Sequence, residues 1–223
     1  FMTGANSGIK LMYQSIRDEQ HMEELKQQNM QVQMDYLKYQ INPHFFMNTL
    51  NNIHALIDID TQWAKNAVIE LSKMMRYVLY DSERETISLT RDIQFLKNYI
   101  ELMRIRYTDA VDIRIEHPST LPARITIPPL LLIVFVENAF KHGVGANKAS
   151  FIHIRIDCNE DKVTAVIANS RFKIAHPKHS DGIGLKNVRK RMELIYGPKN
   201  YELRIEETAD TYTVNLEIPT LHA

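Results

Sequence analysis

Between Gln14 and Gln40 the chain holds neither proline nor glycine, and charged and amide side chains dominate. Met22, Leu25, Asn29, Val32, Tyr36 and Tyr39 recur at alternating spacings of three and four. That is a heptad seam with Asn29 at a core position, a device that fixes register and strand number in coiled coils. Pro43 follows and predicts a bend, because it removes one backbone hydrogen bond. From Gln40 to Ile57, steps of about 100° per residue put Gln40, His44, Asn48, Asn51 and Asn52 on one polar arc. Phe46, Leu50, Ile53 and Ile57 fall opposite, as a stripe to be buried. A second amphipathic helix is expected from about Thr61 to Tyr80, with Ala64, Ala67, Val68, Leu71, Met74, Met75 and Val78 on its apolar face. The short connection predicts an antiparallel hairpin. One hairpin buries little, whereas two copies make a four-helix bundle, so the pattern predicts a homodimer.

Thr90 is placed to cap a third helix, Arg91 to about Tyr107, with Asp92 in its first turn. Beyond it the period changes from 3.6 to 2. Val111–Ile115, Phe151–Ile156, Val163–Ile167, Tyr201–Ile205 and Tyr212–Ile218 all alternate. Two helices, Pro129–His142 and Lys186–Tyr196, lie among these strands and end at Gly143 and Gly197. The fold class is therefore α+β. It comprises an N-terminal coiled coil, a dimeric helical hairpin, and a two-layer domain of helices on a mostly antiparallel sheet.

Composition narrows this picture only slightly. The 223 residues carry 27 basic and 27 acidic side chains. That balance calls for neither nucleic acid nor an anionic membrane as the bulk partner. The single cysteine, Cys158, excludes an internal disulfide and sits in an alternating apolar run, as a core or near-core thiol does. No run approaches the roughly 18 apolar residues that span a bilayer.

Two stretches carry candidate chemistry. Toward its end, the helix from Pro129 turns polar as Glu137-Asn138-Ala139-Phe140-Lys141-His142. On a wheel, Glu137, Asn138, Lys141 and His142 share an arc of about 140°, while Leu132, Val136, Ala139 and Phe140 point to the core. Asn138 offers a hard oxygen for Mg²⁺, and Lys141 a point charge for phosphate. A solvated face with a Glu-Lys pair four apart reads the same residues equally well. Further on, Asp181-Gly182-Ile183-Gly184-Leu185-Lys186-Asn187 places two glycines at the opening of a helix, where bare amides can meet an anion. Ser170–Ser180 precedes it as a polar loop long enough to be a lid.

Taken in order, Gln40-Ile41-Asn42-Pro43-His44-Phe45-Phe46-Met47-Asn48, then Val136-Glu137-Asn138-Ala139-Phe140-Lys141-His142-Gly143, then Gly182-Ile183-Gly184-Leu185-Lys186-Asn187-Val188-Arg189-Lys190-Arg191-Met192 resemble the LytS/YesM-type sensor histidine kinases. The resemblance covers roughly residues 37 to 220. Beyond the signalling coiled coil or linker that the heptad seam predicts over residues 1–40, it implies a dimerisation and histidine-phosphotransfer hairpin over 41–108 and a GHKL-type ATP-binding domain over 109–223. His44 would be the phosphoacceptor, with Asn48 assisting one turn later. Asn138 would be the Mg²⁺ ligand, with Glu137, Lys141 and His142 around the ATP phosphates. Gly182, Gly184 and Leu185 would form the glycine box, with Asn187 and Arg191 in support. The partners implied are a second copy, a response regulator and a membrane sensor segment. The location implied is the cytoplasmic portion of a bacterial inner-membrane protein.

Two departures bear on that reading. Where many histidine kinases place an acid directly after the phosphoacceptor, this chain has Phe45, as the LytS type normally does. Where the family carries Asp-x-Gly, whose aspartate reads the adenine amine, the chain has Ala168-Asn169-Ser170. With Ala168 in the aspartate's place, Asn169 points to the opposite face and reaches adenine only once the strand has ended, or leaves it to water. The resemblance thus implies an ATP-dependent protein histidine kinase of a two-component system. Ala168 keeps a non-catalytic signalling adaptor in play, and a GHKL ATPase without phosphohistidine is a third possibility.

Overall fold

In the computed structural model the chain divides into two units, Phe1–Ile41 and Asn42–Ala223. The structure describes residues 43–107, 111–122, 124–145, 148–172 and 183–221, together with Arg17. The heptad seam from Met22 to Tyr39 therefore lies outside the described residues, as do Gly182 and most of the expected lid.

The second unit opens with the hairpin. Helix α1 spans Pro43–Ile57 and α2 spans Thr61–Arg76. Asp60 caps α2 by accepting the Trp63 N–H at 2.8 Å, which satisfies a donor the helix leaves open. α2 then widens into a single π-helical turn, Tyr77–Asp81, that sends Tyr77 inward. The hairpin is as expected, but its buried stripe on α1 is rotated. Thr49, Ile53 and Leu56 are buried and Phe45 is half-buried, whereas Leu50 and Ile57 are exposed. The cause is tertiary: α1 packs on α2 and also on the next helix, and those contacts choose a neighbouring strip of the wheel. On α2, Ala64, Ala67, Leu71 and Met74 are buried as expected, while Val68 and Met75 face out.

The third helix, α3, spans Leu89–Arg106, with Ser88 rather than Thr90 at its N-cap. Asp92 is not a solvated first-turn acid; it is fully buried and accepts the Tyr77 hydroxyl proton at 2.6 Å. Ahead of α3, β1 (Ile87–Ser88) pairs antiparallel with β3 (Thr126–Ile127), a two-residue ladder too short to show in the periodicity.

The main sheet holds β2 (Val111–Glu116), β4 (Ser150–Cys158), β5 (Lys162–Ser170), β6 (Glu202–Glu207) and β7 (Thr211–Pro219), in the order β2-β4-β5-β7-β6. β2 runs parallel to β4; the other pairs are antiparallel. Alternation divides each strand between two faces. Ile152, Ile154, Ile156, Val163, Ala165, Ile167, Val214, Leu216 and Ile218 are buried on the inner face. That face is covered by α4 (Ile133–Gly143) together with α5 (Ile183–Tyr196), whose Val188 and Met192 are buried. The outer face is a solvated lattice of ion pairs: Arg155 holds Glu116, His153 meets Asp112, and Lys162 meets Glu217.

Candidate functional site

α4 presents the chemistry. The chain enters it through Pro128 and Pro129, and Leu130 turns it with φ of 59°, in the left-handed region. Phe135, Val136, Ala139 and Phe140 are buried. Glu137 and Asn138 are half-buried, and Lys141 and His142 are exposed. The four polar residues expected on one arc therefore share the outward side of the helix.

Two contacts bracket that arc. Gly184, in the first turn of α5, faces Val134, and a Cβ there would lie 3.6 Å from Val134 Cγ1. Val134 stands one turn before Asn138 on the same side of α4. At the far end Gly143 closes on Asn169: an added Cβ would fall 2.6 Å from Asn169 Cβ and 2.7 Å from its Nδ2. Gly143 is glycine for this close approach, whereas Gly197 has φ of 80° and ends α5 in the left-handed conformation.

The contact with Gly143 corrects the strand reading. β5 runs without a bulge through Ser170, in unbroken register with β4 and β7. Val163, Ala165, Ile167 and Asn169 share the helix-facing side, and Asn169 is only 3% exposed. Ala168 lies on the outer face, in a shallow hollow with Arg114, His153 and Arg155. Asn169 therefore sits at the inward polar position without any bulge or early exit, and its Nδ2 donates to the Ser170 carbonyl at 2.7 Å.

The electrostatics of the arc suit an anion. Burial raises the Glu137 carboxyl to about 7, against the opposing pull of Lys141. His142 is lowered, by burial first and by Lys141 second. Near neutral pH the patch thus holds the Lys141 charge, a partly protonated acid and a neutral imidazole. Among the described residues no cluster of three or more His, Cys, Asp or Glu could hold a resident metal ion. A single amide oxygen on Asn138 fits Mg²⁺ of another kind, one that keeps waters and phosphate oxygens as most of its ligands.

α5 supplies the rest of the wall. Leu185 and Asn187 are half-buried near its start, and the Asn187 Nδ2 is buried without a hydrogen-bond partner. Arg191 is 4% exposed and donates to the Pro129 carbonyl at 2.7 Å, tying α5 to the turn that launches α4. Asp92 and Tyr77 meet the same turn at the Leu130 peptide. Burial raises both, and the nearby Arg191 charge opposes the effect on Asp92. This polar junction was not visible in the sequence, because Tyr77, Asp92 and Arg191 are far apart along the chain. Locally, Arg191 is one of several basic residues and Asp92 follows Arg91, so neither stands out in sequence.

His44 lies in the first turn of α1, and its side chain is outside the described part. Asn48, one turn on, is half-buried. The ring following His44 is well placed: Phe45 packs on Tyr99 of α3, and Tyr99 packs on Phe140 of α4. The sequence brings these residues together in no motif.

The chain is similar in sequence to known proteins over most of its length. The histidine kinase family profile matches residues 32–111. The sensor protein LytS of Streptococcus mutans serotype c is 31% identical over 197 residues, spanning 82% of this chain and 33% of that protein. LytS of Staphylococcus haemolyticus is 29% identical over the same length and shares. The chain spans about a third of the length of these relatives. Among solved structures, the histidine kinase domain of a blue-light activated kinase from Erythrobacter litoralis is similar at 15% identity. It covers 86% of this chain and 95% of that one, with a TM-score of 0.47. The histidine kinase profile falls on the hairpin and α3, and the helix-on-sheet domain follows them in the chain. Over 82% of its length the chain resembles the LytS-type sensor histidine kinases, at 29–31% identity.

Proposed function

We propose that the chain is the kinase core of a two-component sensor, in which ATP phosphorylates His44 and the phosphoryl group then passes to a response-regulator aspartate. The carrying observation is the bracketed arc: Asn138 and Lys141 between Gly184 and Asn169, in the same unit as the histidine-bearing helix. In this reading Asn169 faces the adenine and Lys141 meets phosphate oxygens. Asn138 holds Mg²⁺, which supplies charge neutralisation on the phosphates when bound.

The unprotonated ring nitrogen of His44 attacks the γ-phosphorus. A P–N bond forms as the bond to the β-bridging oxygen breaks, and ADP leaves with that electron pair. The other ring nitrogen releases its proton to water, so the phenylalanine at position 45 removes no obligatory step. A carboxylate oxygen of the regulator then attacks phosphorus, the P–N electron pair returns to the ring, and a proton from water restores the neutral imidazole. Positioning and charge carry most of the catalysis in such transfers.

The assembly proposed is a homodimer through the hairpin, attached to a membrane sensor on the cytoplasmic side. No described helix is long and apolar enough to cross a membrane. The adaptor reading rested on Ala168, and it loses that support now that Asn169 occupies the inward position. Incubation with γ-labelled ATP and Mg²⁺ tests the proposal. Acid-labile label absent from His44→Gln is expected; label that persists in the variant, or that survives acid, overturns it.

A further inference from the structure

A continuous run of ring contacts joins the residue after His44 to the helix that presents Asn138 and Lys141. Phe46 meets Phe45 edge-on at 5.4 Å between centroids, and Phe45 lies on Tyr99 at 5.0 Å. Tyr99 meets Phe140 at 5.7 Å, and Tyr107 stacks on the same Phe140 at 5.8 Å. Tyr99 and Phe140 are 3% and 1% exposed, so the middle of the run is anchored in the core. Phe45 is half-buried at its outer end.

The geometry points to Phe45 as a positioning residue for phosphotransfer, docking the first turn of α1 on Tyr99 so that His44 is held at a fixed place relative to α4. This rests on the kinase reading above. Three features of the structure support it. Phe45 is on the inner strip that the wheel did not anticipate, so the rotation of α1 is what brings its ring to Tyr99. Phe140 lies between Asn138 and Lys141 in sequence but on the opposite side of α4, so the dock touches the catalytic helix without entering its polar arc. The phenylalanine at position 45 also has no proton to take or give. Its contribution is therefore placement, and displacement of a reacting group by about 1 Å can cost on the order of a hundredfold in rate.

The test compares Phe45→Leu with Phe45→Tyr, the second keeping the ring. Affinity for a fluorescent ATP analogue with Mg²⁺ is expected to be unchanged in both. At saturating ATP, labelling of His44 should fall about 10- to 100-fold in Phe45→Leu and recover in Phe45→Tyr. Protein labelled to completion and given ADP should lose its label more slowly by the same factor, because the reverse reaction needs the same placement. A wild-type rate in Phe45→Leu, a parallel loss of nucleotide affinity, or no recovery in Phe45→Tyr overturns the proposal. The contact itself is read by a double-mutant cycle in thermal unfolding with Phe45→Leu and Tyr99→Leu. Non-additive effects are expected, and additivity overturns the dock. A wild type that takes no label while the cycle still shows coupling would remove the kinase reading and leave the dock standing.

Discussion

At the scale of single residues, the decisive pair is Ala168 and Asn169. The inward face of β5 already carries Val163, Ala165 and Ile167, so the strand's own alternation assigns Asn169 to the helix side. An amide there can accept from an adenine amine and donate to the adjacent ring nitrogen. Asn169→Ala is therefore expected to weaken ATP binding about tenfold, by a lost contact of roughly 1–3 kcal/mol. Ala168→Asp should leave the affinity unchanged, because its side chain joins the outer hollow beside Arg114 and His153. Calorimetric titration of both variants with ATP and GTP decides this; tighter binding by Ala168→Asp would return the adenine contact to that face. Asn138→Ala should abolish Mg²⁺-dependent nucleotide binding without changing the melting temperature much, since Asn138 makes the arc and Ala139 and Phe140 make the core. Normal ATP binding by that variant would reduce the arc to a solvated helix face.

At the scale of elements, the most consequential junction is buried and non-local. Tyr77 at the π-helical end of α2, Asp92 in α3 and Arg191 in α5 converge on the Pro129–Leu130 turn. Burial pushes the Asp92 carboxyl up to about 6 from an ordinary value near 3.8. The folded protein thus holds this proton more tightly than the unfolded chain does. Its stabilising contribution is complete below about pH 4 and is lost as the pH rises toward 6. Asp92→Asn, which can still accept from Tyr77, should remove that loss. Its stability relative to wild type should climb between pH 4 and 7 by on the order of 3 kcal/mol. Parallel unfolding curves across that range would show that Asp92 does not carry the pH dependence. The same junction marks the boundary of what was legible beforehand. The strands, the hairpin and the polar arc of α4 follow from local periodicity, and the inward place of Asn169 could have been read from it too. An Asp-x-Gly template laid over Ala-Asn-Ser hid that signal. The buried side of α1 and the burial of Asp92 depend on which helices dock, and a single helix's pattern does not contain that choice.

At the scale of the whole molecule, the hairpin is left with an uncovered apolar surface. Among the described residues, the large apolar side chains that stand exposed all fall between Met47 and Tyr80. Leu50 and Ile57 lie on α1, Val68 and Met75 lie two turns apart on α2, and Leu79 stands in the π-helical turn that continues it. Exposed large apolar side chains gathered in one part of a chain mark an interaction surface. Its confinement to the two hairpin helices fits a second hairpin laid against the first as a four-helix bundle. The residues that the wheel assigned to the core of α1 but the single chain leaves outside, Leu50 and Ile57, are then buried by the partner copy. The protein is expected to be a dimer by light scattering. Leu50→Lys combined with Val68→Lys should give a monomer of unchanged helical content, since neither side chain fills the core of its own chain. His44→Gln should remain dimeric, because it leaves every residue of the patch in place. Nucleotide affinity should survive in the monomer, the α4 arc and its two brackets belonging to one chain. A wild type that is monomeric at micromolar concentration, or a double variant that remains a dimer, would assign the patch to a different partner.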